Sequence, residues 1–267
     1  MRELYIRGIS GLFYVALIIG SVFYDRLHYT IVILIFSGLA MIEFQRLVGH
    51  KSYMPIALFI LLVYNFYQSK IDSPELLYPL LSVFMAHLFL IYWLISNREI
   101  KLGYLSKTIL SLFYLGMGCF FIIALGGNAD HFQSKNVLLF FVLIWSNNSF
   151  AYLTGKQMGK NLLFSRVSPK KTWEGFIGGL VFTLMAAFIF QNFYPERSIV
   201  LYIIFALITS VLATFGDLIQ SHFKRFANVK DSGSLIPGHG GFFDRMDSAI
   251  FVGPWFYLLL NFKEYVS

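Results

Sequence analysis

The sequence predicts an all-α integral membrane protein with about nine transmembrane helices, and three observations carry that prediction. Of 267 residues, 57% are hydrophobic and only 13% charged, against about 25% charged in an ordinary soluble domain. Thirty phenylalanines and a mean hydropathy of +0.67 leave too little polar surface to cover the chain in water, which excludes a soluble globular protein. The apolar residues also gather into nine runs, most near the roughly 20 residues that a helix needs to cross a bilayer core. They fall at about 8–23, 29–46, 53–68, 75–96, 106–125, 136–154, 174–193, 199–220 and 247–262.

Taken in order, the first run follows Arg2 and Arg7 as a signal peptide would, but residues 21–28 show no small-residue cleavage pattern, so it reads as a span. The second ends on Glu43 and Arg46, whose i,i+3 spacing predicts a helix-end ion pair. His87, in the middle of the fourth, predicts a hydrogen bond inside the bundle. The single cysteine, Cys119 in the fifth, has no second thiol for a disulfide or a cysteine zinc site and reads as packing. The sixth and seventh runs bracket a polar connection at about 155–173, and the eighth and ninth bracket a second from Asp217 to Asp247. The whole reads as one polytopic membrane domain over 1–267, with N-terminal spans at about 1–130 and a polar-rich half at about 136–267.

The net charge of +7 does not point to nucleic acid, because the basic residues form no free arm and lie between apolar runs. Lipid headgroups or nucleotides are the expected partners. With nine spans, the N-terminus and the even-numbered connections collect sixteen of the 21 basic residues. The positive-inside rule then places the N-terminus and the two longest connections in the cytoplasm and the C-terminus outside.

Only those two connections hold enough polar residues for chemistry. The stretch 217–247 contains Asp217, Lys224, Arg225, Lys230, Asp231, Asp244, Arg245 and Asp247. Asp217 sits near the end of the eighth run, where an ionisable group is costly unless paired, hydrated or metal-bound. Ser221 at i+4 and Lys224 at i+7 share its face if the helix continues, and Asp244 and Asp247 share a face at the start of the ninth run. Between them, Pro237-Gly238-His239-Gly240-Gly241 can turn sharply and approach a ligand closely. Converging aspartates with basic residues suit phosphoryl or nucleotidyl transfer, in which carboxylates hold Mg²⁺ and cations neutralise charge on the transferring phosphorus and the leaving group.

In the other connection, Ser168, Lys170, Lys171 and Thr172 precede the seventh run, as an anion-binding mouth at a helix N-terminus or as a basic loop with a hydroxyl helix cap. The nearby Gly155-Lys156-Gln157-Met158-Gly159-Lys160 is not a Walker A loop: its glycine spacing is one short and Asn161 stands where Ser or Thr is needed.

The run Ser221-His222-Phe223-Lys224-Arg225, then Lys230-Asp231-Ser232-Gly233, then Pro237-Gly238-His239-Gly240-Gly241, then Asp244-Arg245-Met246-Asp247 resembles the signature of the phosphatidate cytidylyltransferase (CDP-diacylglycerol synthase) family. Gly216-Asp217 and residues 168–175 resemble the same family, and the N-terminal half resembles it in span pattern alone. The resemblance implies a dimeric enzyme of the bacterial inner membrane, with its site facing the cytoplasm. It would transfer CMP from CTP to phosphatidate with Mg²⁺ and a second, potassium-like cation. It makes Asp217, Asp244 and Asp247 metal-site carboxylates and gives the phosphates to Lys224, Arg225, Lys230 and Arg245. Ser221, Asp231 and His239 would shape the pocket, and Ser168, Lys170, Lys171 and Thr172 would contact CTP or the lipid phosphate. One departure stands out: Asn148 occupies the position, before Ala151-Tyr152, where the family usually has Asp. A CTP-dependent lipid kinase, a cytidylyltransferase for another lipid phosphate and a cation transporter are the alternatives. The transporter fits least, because the polar residues sit in connections rather than at mid-membrane.

Overall fold

A computed structural model describes residues 2–68, 73–96, 98, 100–127, 131–238 and 240–262. Among these, each apolar run lies on one helix: α1 (Arg2–Tyr24), α2 (Arg26–Leu47), α3 (Met54–Gln68), α4 (Leu77–Ser96), α5 (Tyr104–Ala124), α6 (Ser134–Met158), α7 (Trp173–Phe193), α8 (Ile199–Phe226) and α9 (Phe242–Leu260). Six of them, α2 and α4 to α8, are long and apolar enough to cross a membrane. The apolar part of α1 (Gly8–Tyr24) and α3 are shorter, and α9 opens on three charged residues. Large apolar side chains such as Ile177, Val181, Met185 and Phe188 on α7 stand exposed, as expected of a surface that meets lipid.

Helix α9 is the centre of the fold, with Phe243, Met246 and all of 248–254 buried against α2, α5 and α8. Pro254 has no amide to give to the Ile250 carbonyl, and Gly118 of α5 lies against that carbonyl, where a Cβ would come within 2.7 Å of its oxygen. Helix α5 itself passes through a π-helical stretch, Leu110–Gly116. Cys119 is free and buried there, as expected of a packing residue. His87 accepts a 3.0 Å hydrogen bond from Trp255 Nε1 inside the bundle, also as expected.

The α6–α7 hairpin closes through small residues, the common device where no water drives helices together. A Cβ on Gly175 would lie 2.7 Å from the Ala151 carbonyl oxygen, and one on Gly179 2.9 Å from that of Asn147. Because backbone cannot yield as a side-chain tip can, Gly175→Ala is expected to destabilise the fold by about 1–3 kcal/mol. The midpoint of thermal unfolding in detergent checks this, and an unchanged midpoint would contradict the packing.

The fold is all-α as expected, and the connection between these helices adds a short non-helical element to it. It forms a small antiparallel hairpin of β1 (Leu162–Phe164) and β2 (Ser168–Thr172), with Leu162 opposite Thr172 and Phe164 opposite Ser168. The Glu174 carboxylate pins it to the first turn of α7 by accepting from the Lys160 and Asn161 amides at 3.0 and 3.2 Å and from Asn161 Nδ2 at 2.7 Å. Strands this short, one carrying Pro169 and two lysines, leave no alternating pattern to read.

Candidate active site

A cavity of about 1020 Å³ opens where α6, the hairpin, α8, α9 and α1 meet. Helix α8 runs on past Asp217 to Phe226, so Asp217, Ser221 and Lys224 do lie on one continuing helix. Gly216 lets α8 approach α9: a Cβ there would fall 2.7 Å from the Asp247 carbonyl oxygen and 2.9 Å from the Phe251 Cβ. That closeness brings Asp217 and Asp247 to the same cavity. Lys171, delivered by β2, forms a 2.7 Å ion pair with Asp217 Oδ2, and Ser221 Oγ donates to Asp217 Oδ1 at 3.3 Å. Asp247 Oδ1 accepts the Ser248 amide at 2.5 Å, and Asp247 forms no salt bridge among the described residues.

Asp244 is employed differently from the expected pairing with Asp247. Its Oδ1 accepts from Gln220 Nε2 at 2.6 Å and Lys224 Nζ at 2.8 Å. Its Oδ2 accepts from the Ser232 amide at 2.9 Å and the Gly241 amide at 3.0 Å, and the Ser232 hydroxyl, also 2.9 Å away, shares its one proton between this oxygen and Glu43 Oε2. Four donors, two on each oxygen, fill a carboxylate that offers about four lone-pair sites, with the shared Ser232 hydroxyl beside them. Asp244 therefore borders the cavity but spends its oxygens on holding the chain, and Lys224 is spent with it.

The hairpin residues Ser168, Lys170, Lys171 and Thr172, with Arg245, line the cavity. Thr172 is also the helix cap of α7, accepting the Gly175 amide at 3.1 Å. Arg225 turns away, donating to the Val167 carbonyl at 3.4 Å and the Val229 carbonyl at 3.5 Å. Lys230 and Asp231 are exposed in the connection after α8, outside the cavity lining. His239 lies outside the described residues. Gly238 and Gly240, on either side of it, have φ of 74° and 83°, and the Ile236 amide donates to the Gly240 carbonyl at 2.9 Å, so the expected sharp turn is present.

Tyr14, Asn147, Lys156 and Thr214 also line the cavity and were not singled out from the sequence. Lys156 sits in the last turn of α6, within the segment rejected as a Walker A loop; its signal was a cation beside a glycine at the end of a span. Asn148 faces the cavity too, donating from Nδ2 to Ser248 Oγ at 3.0 Å beside Asp247. The predicted Glu43–Arg46 ion pair is absent among the described residues. The Glu43 carboxylate is instead buried, accepting from the Phe243 amide at 2.9 Å and Ser232 Oγ at 3.0 Å.

Among the described residues no three His, Cys, Asp or Glu side chains converge as a protein-built metal cage. Two carboxylates on one cavity suit Mg²⁺ better than such a cage would, because Mg²⁺ keeps several waters and is usually held by one or two carboxylates together with substrate phosphates. The arrangement is thus two carboxylates facing Lys156, Lys170, Lys171 and Arg245, which fits a polyphosphate.

Comparison with known proteins agrees in kind. The model of the cytidylyltransferase family matches residues 5–263. The chain is 34% identical over 262 residues to a phosphatidate cytidylyltransferase of Bacillus subtilis, covering 95% of this chain and 96% of that one. It is 38% identical over 179 residues to the Staphylococcus aureus protein of the same name and 36% identical over 177 residues to that of Staphylococcus haemolyticus, covering 66% of each chain in both cases. With nearly its full length matched and a two-carboxylate, multi-cation cavity in place, the chain belongs to the cytidylyltransferase family.

Proposed function

We propose that this protein transfers CMP from CTP to phosphatidate, giving CDP-diacylglycerol and pyrophosphate, in the cavity between α6, the hairpin, α8 and α9. The observation that carries the reading is Asp217 and Asp247 on one cavity with Lys171 bonded to Asp217. A phosphate oxygen of phosphatidate attacks the α-phosphorus of CTP, the bond to the bridging oxygen breaks, and pyrophosphate leaves with that oxygen. The nucleophile is already ionised, so no strong general base is needed. Lys156, Lys170, Lys171 and Arg245 draw both anions into one pocket and offset the repulsion between them. Mg²⁺ held by Asp217 and Asp247 would neutralise charge on the triphosphate and the leaving pyrophosphate. Asp244 and Lys224 shape the wall.

The cavity lies beside the basic connections, which supports a cytoplasmic site in a chain crossing the bacterial inner membrane nine times, N-terminus inside and C-terminus outside. The dimer is carried from the family resemblance. Purified protein with CTP, phosphatidate and Mg²⁺ is expected to release one pyrophosphate per CDP-diacylglycerol formed. CDP with a doubly phosphorylated lipid would mean a kinase, and no product would overturn both readings.

Asn148 offers a sharper check. Asn148→Asp would add a carboxylate that is not spent on the fold, beside Asp217 and Asp247, and ligand charge count tunes cation affinity. The Mg²⁺ concentration for half-maximal activity is therefore expected to fall about three- to tenfold. An unchanged Mg²⁺ titration would place position 148 outside the metal's reach.

A further inference from the structure

Helix α9 begins without the side chain that normally caps a helix. Its N-cap is Gly241, which has no side-chain oxygen to accept a first-turn amide. The amide of Phe243, the second helical residue, donates instead to Glu43 Oε2 on α2, 200 residues away in the chain. The same oxygen accepts from Ser232 Oγ, and that hydroxyl also contacts Asp244 Oδ2. Asp244 in turn takes the Ser232 and Gly241 amides. Glu43 and Asp244 together clasp both ends of the segment 232–241.

Glu43 is only 1% exposed, and its Oε1 has no hydrogen-bond partner. A carboxylate this deep is costly to hold, and the segment it binds is shaped around it. A Cβ on Gly233 would lie 2.6 Å from Glu43 Oε1, and a Cβ on Gly241 would overlap the carboxylate itself. Two glycines of the polar stretch are thus required by a residue from the other half of the chain.

We infer that Glu43 is a positioning residue for the cavity. It supplies the missing cap of α9 and holds the 232–241 segment, so that Asp247, one turn beyond Phe243, faces Asp217. The inference rests on the assignment of this cavity as the site of CMP transfer.

The test uses full-length protein in detergent, read by amide hydrogen exchange over 227–245 and by kcat and KM for CTP. Glu43→Ala is expected to speed exchange at Phe243 roughly tenfold, the size of a lost helix cap. It should lower kcat by about 100-fold, as small misplacements do, with KM for CTP nearly unchanged. Glu43→Gln keeps an acceptor oxygen at the same reach and should restore both exchange protection and most of kcat. Gly241→Ser, damaging alone because it meets Glu43, should recover protection when combined with Glu43→Ala, since the hydroxyl can then cap locally.

Wild-type exchange and kcat in Glu43→Ala would overturn the inference, as would Glu43→Gln being as impaired as Glu43→Ala. If Glu43→Ala fails to fold, Glu43→Gln and the double variant decide the matter by the same readings. A wild-type protein without CMP transfer would sink the site assignment, whereas unchanged exchange in Glu43→Ala would sink the clasp.

Discussion

Asp247→Asn is expected to lower CMP transfer about a thousandfold, the largest effect of any single change considered. Asp247 forms no salt bridge among the described residues and lines the same cavity as the Asp217–Lys171 pair. Its negative charge is therefore not spent on the fold. An amide keeps the size and can still accept the Ser248 amide, so the structure should survive while the charge is lost. Steady-state rates beside a thermal melt separate the two effects: an unmoved midpoint with lost turnover fits a metal-site carboxylate. Asp244→Asn should behave otherwise, because Asp244 holds two donors on each oxygen and the amide's NH₂ would face one of those pairs. It is expected to lower the melting midpoint as well as activity.

Lys171→Met is the second large effect, with an expected loss of about 100-fold in kcat. Lys171 is the only cation in an ion pair with Asp217 among the described residues, and it lines the cavity that CTP would enter. Removing it takes away a cation for the developing charge and leaves Asp217 without its partner. Lys171→Arg should rescue little, since a planar fork cannot replace a compact ammonium in a 2.7 Å pair without moving β2. Turnover of the two variants at saturating CTP checks this, and full activity in Lys171→Met would remove Lys171 from the transfer step.

Much of this molecule was legible in sequence because its signals are local. Apolar runs of membrane length map onto helices, and the i,i+4,i+7 spacing of Asp217, Ser221 and Lys224 needs only that α8 continue, which it does. The β hairpin was not legible, since its strands are too short for a period and are held by Glu174 from outside them. The separate duties of Asp244 and Asp247 were equally hidden. Helical spacing puts them near one face, but the donors that occupy Asp244 come from α8, Ser232 and Gly241, and only packing brings these together. Glu43 shows the same limit. Its neighbour in sequence is Arg46, yet its partners are Phe243 and Ser232, and a local rule selects the wrong one.

Asp217, Lys171 and Asp247 would flank the phosphorus that is transferred. The most direct measurement follows label from CTP into lipid, using CTP carrying radioactive phosphorus at the α or the γ position, with phosphatidate and Mg²⁺, for wild type and Asp247→Asn. Wild type is expected to move the α label alone into the lipid phase, and folded Asp247→Asn to move neither. Transfer of the γ label would make the protein a kinase, and wild-type transfer of the α label by Asp247→Asn would place the chemistry elsewhere.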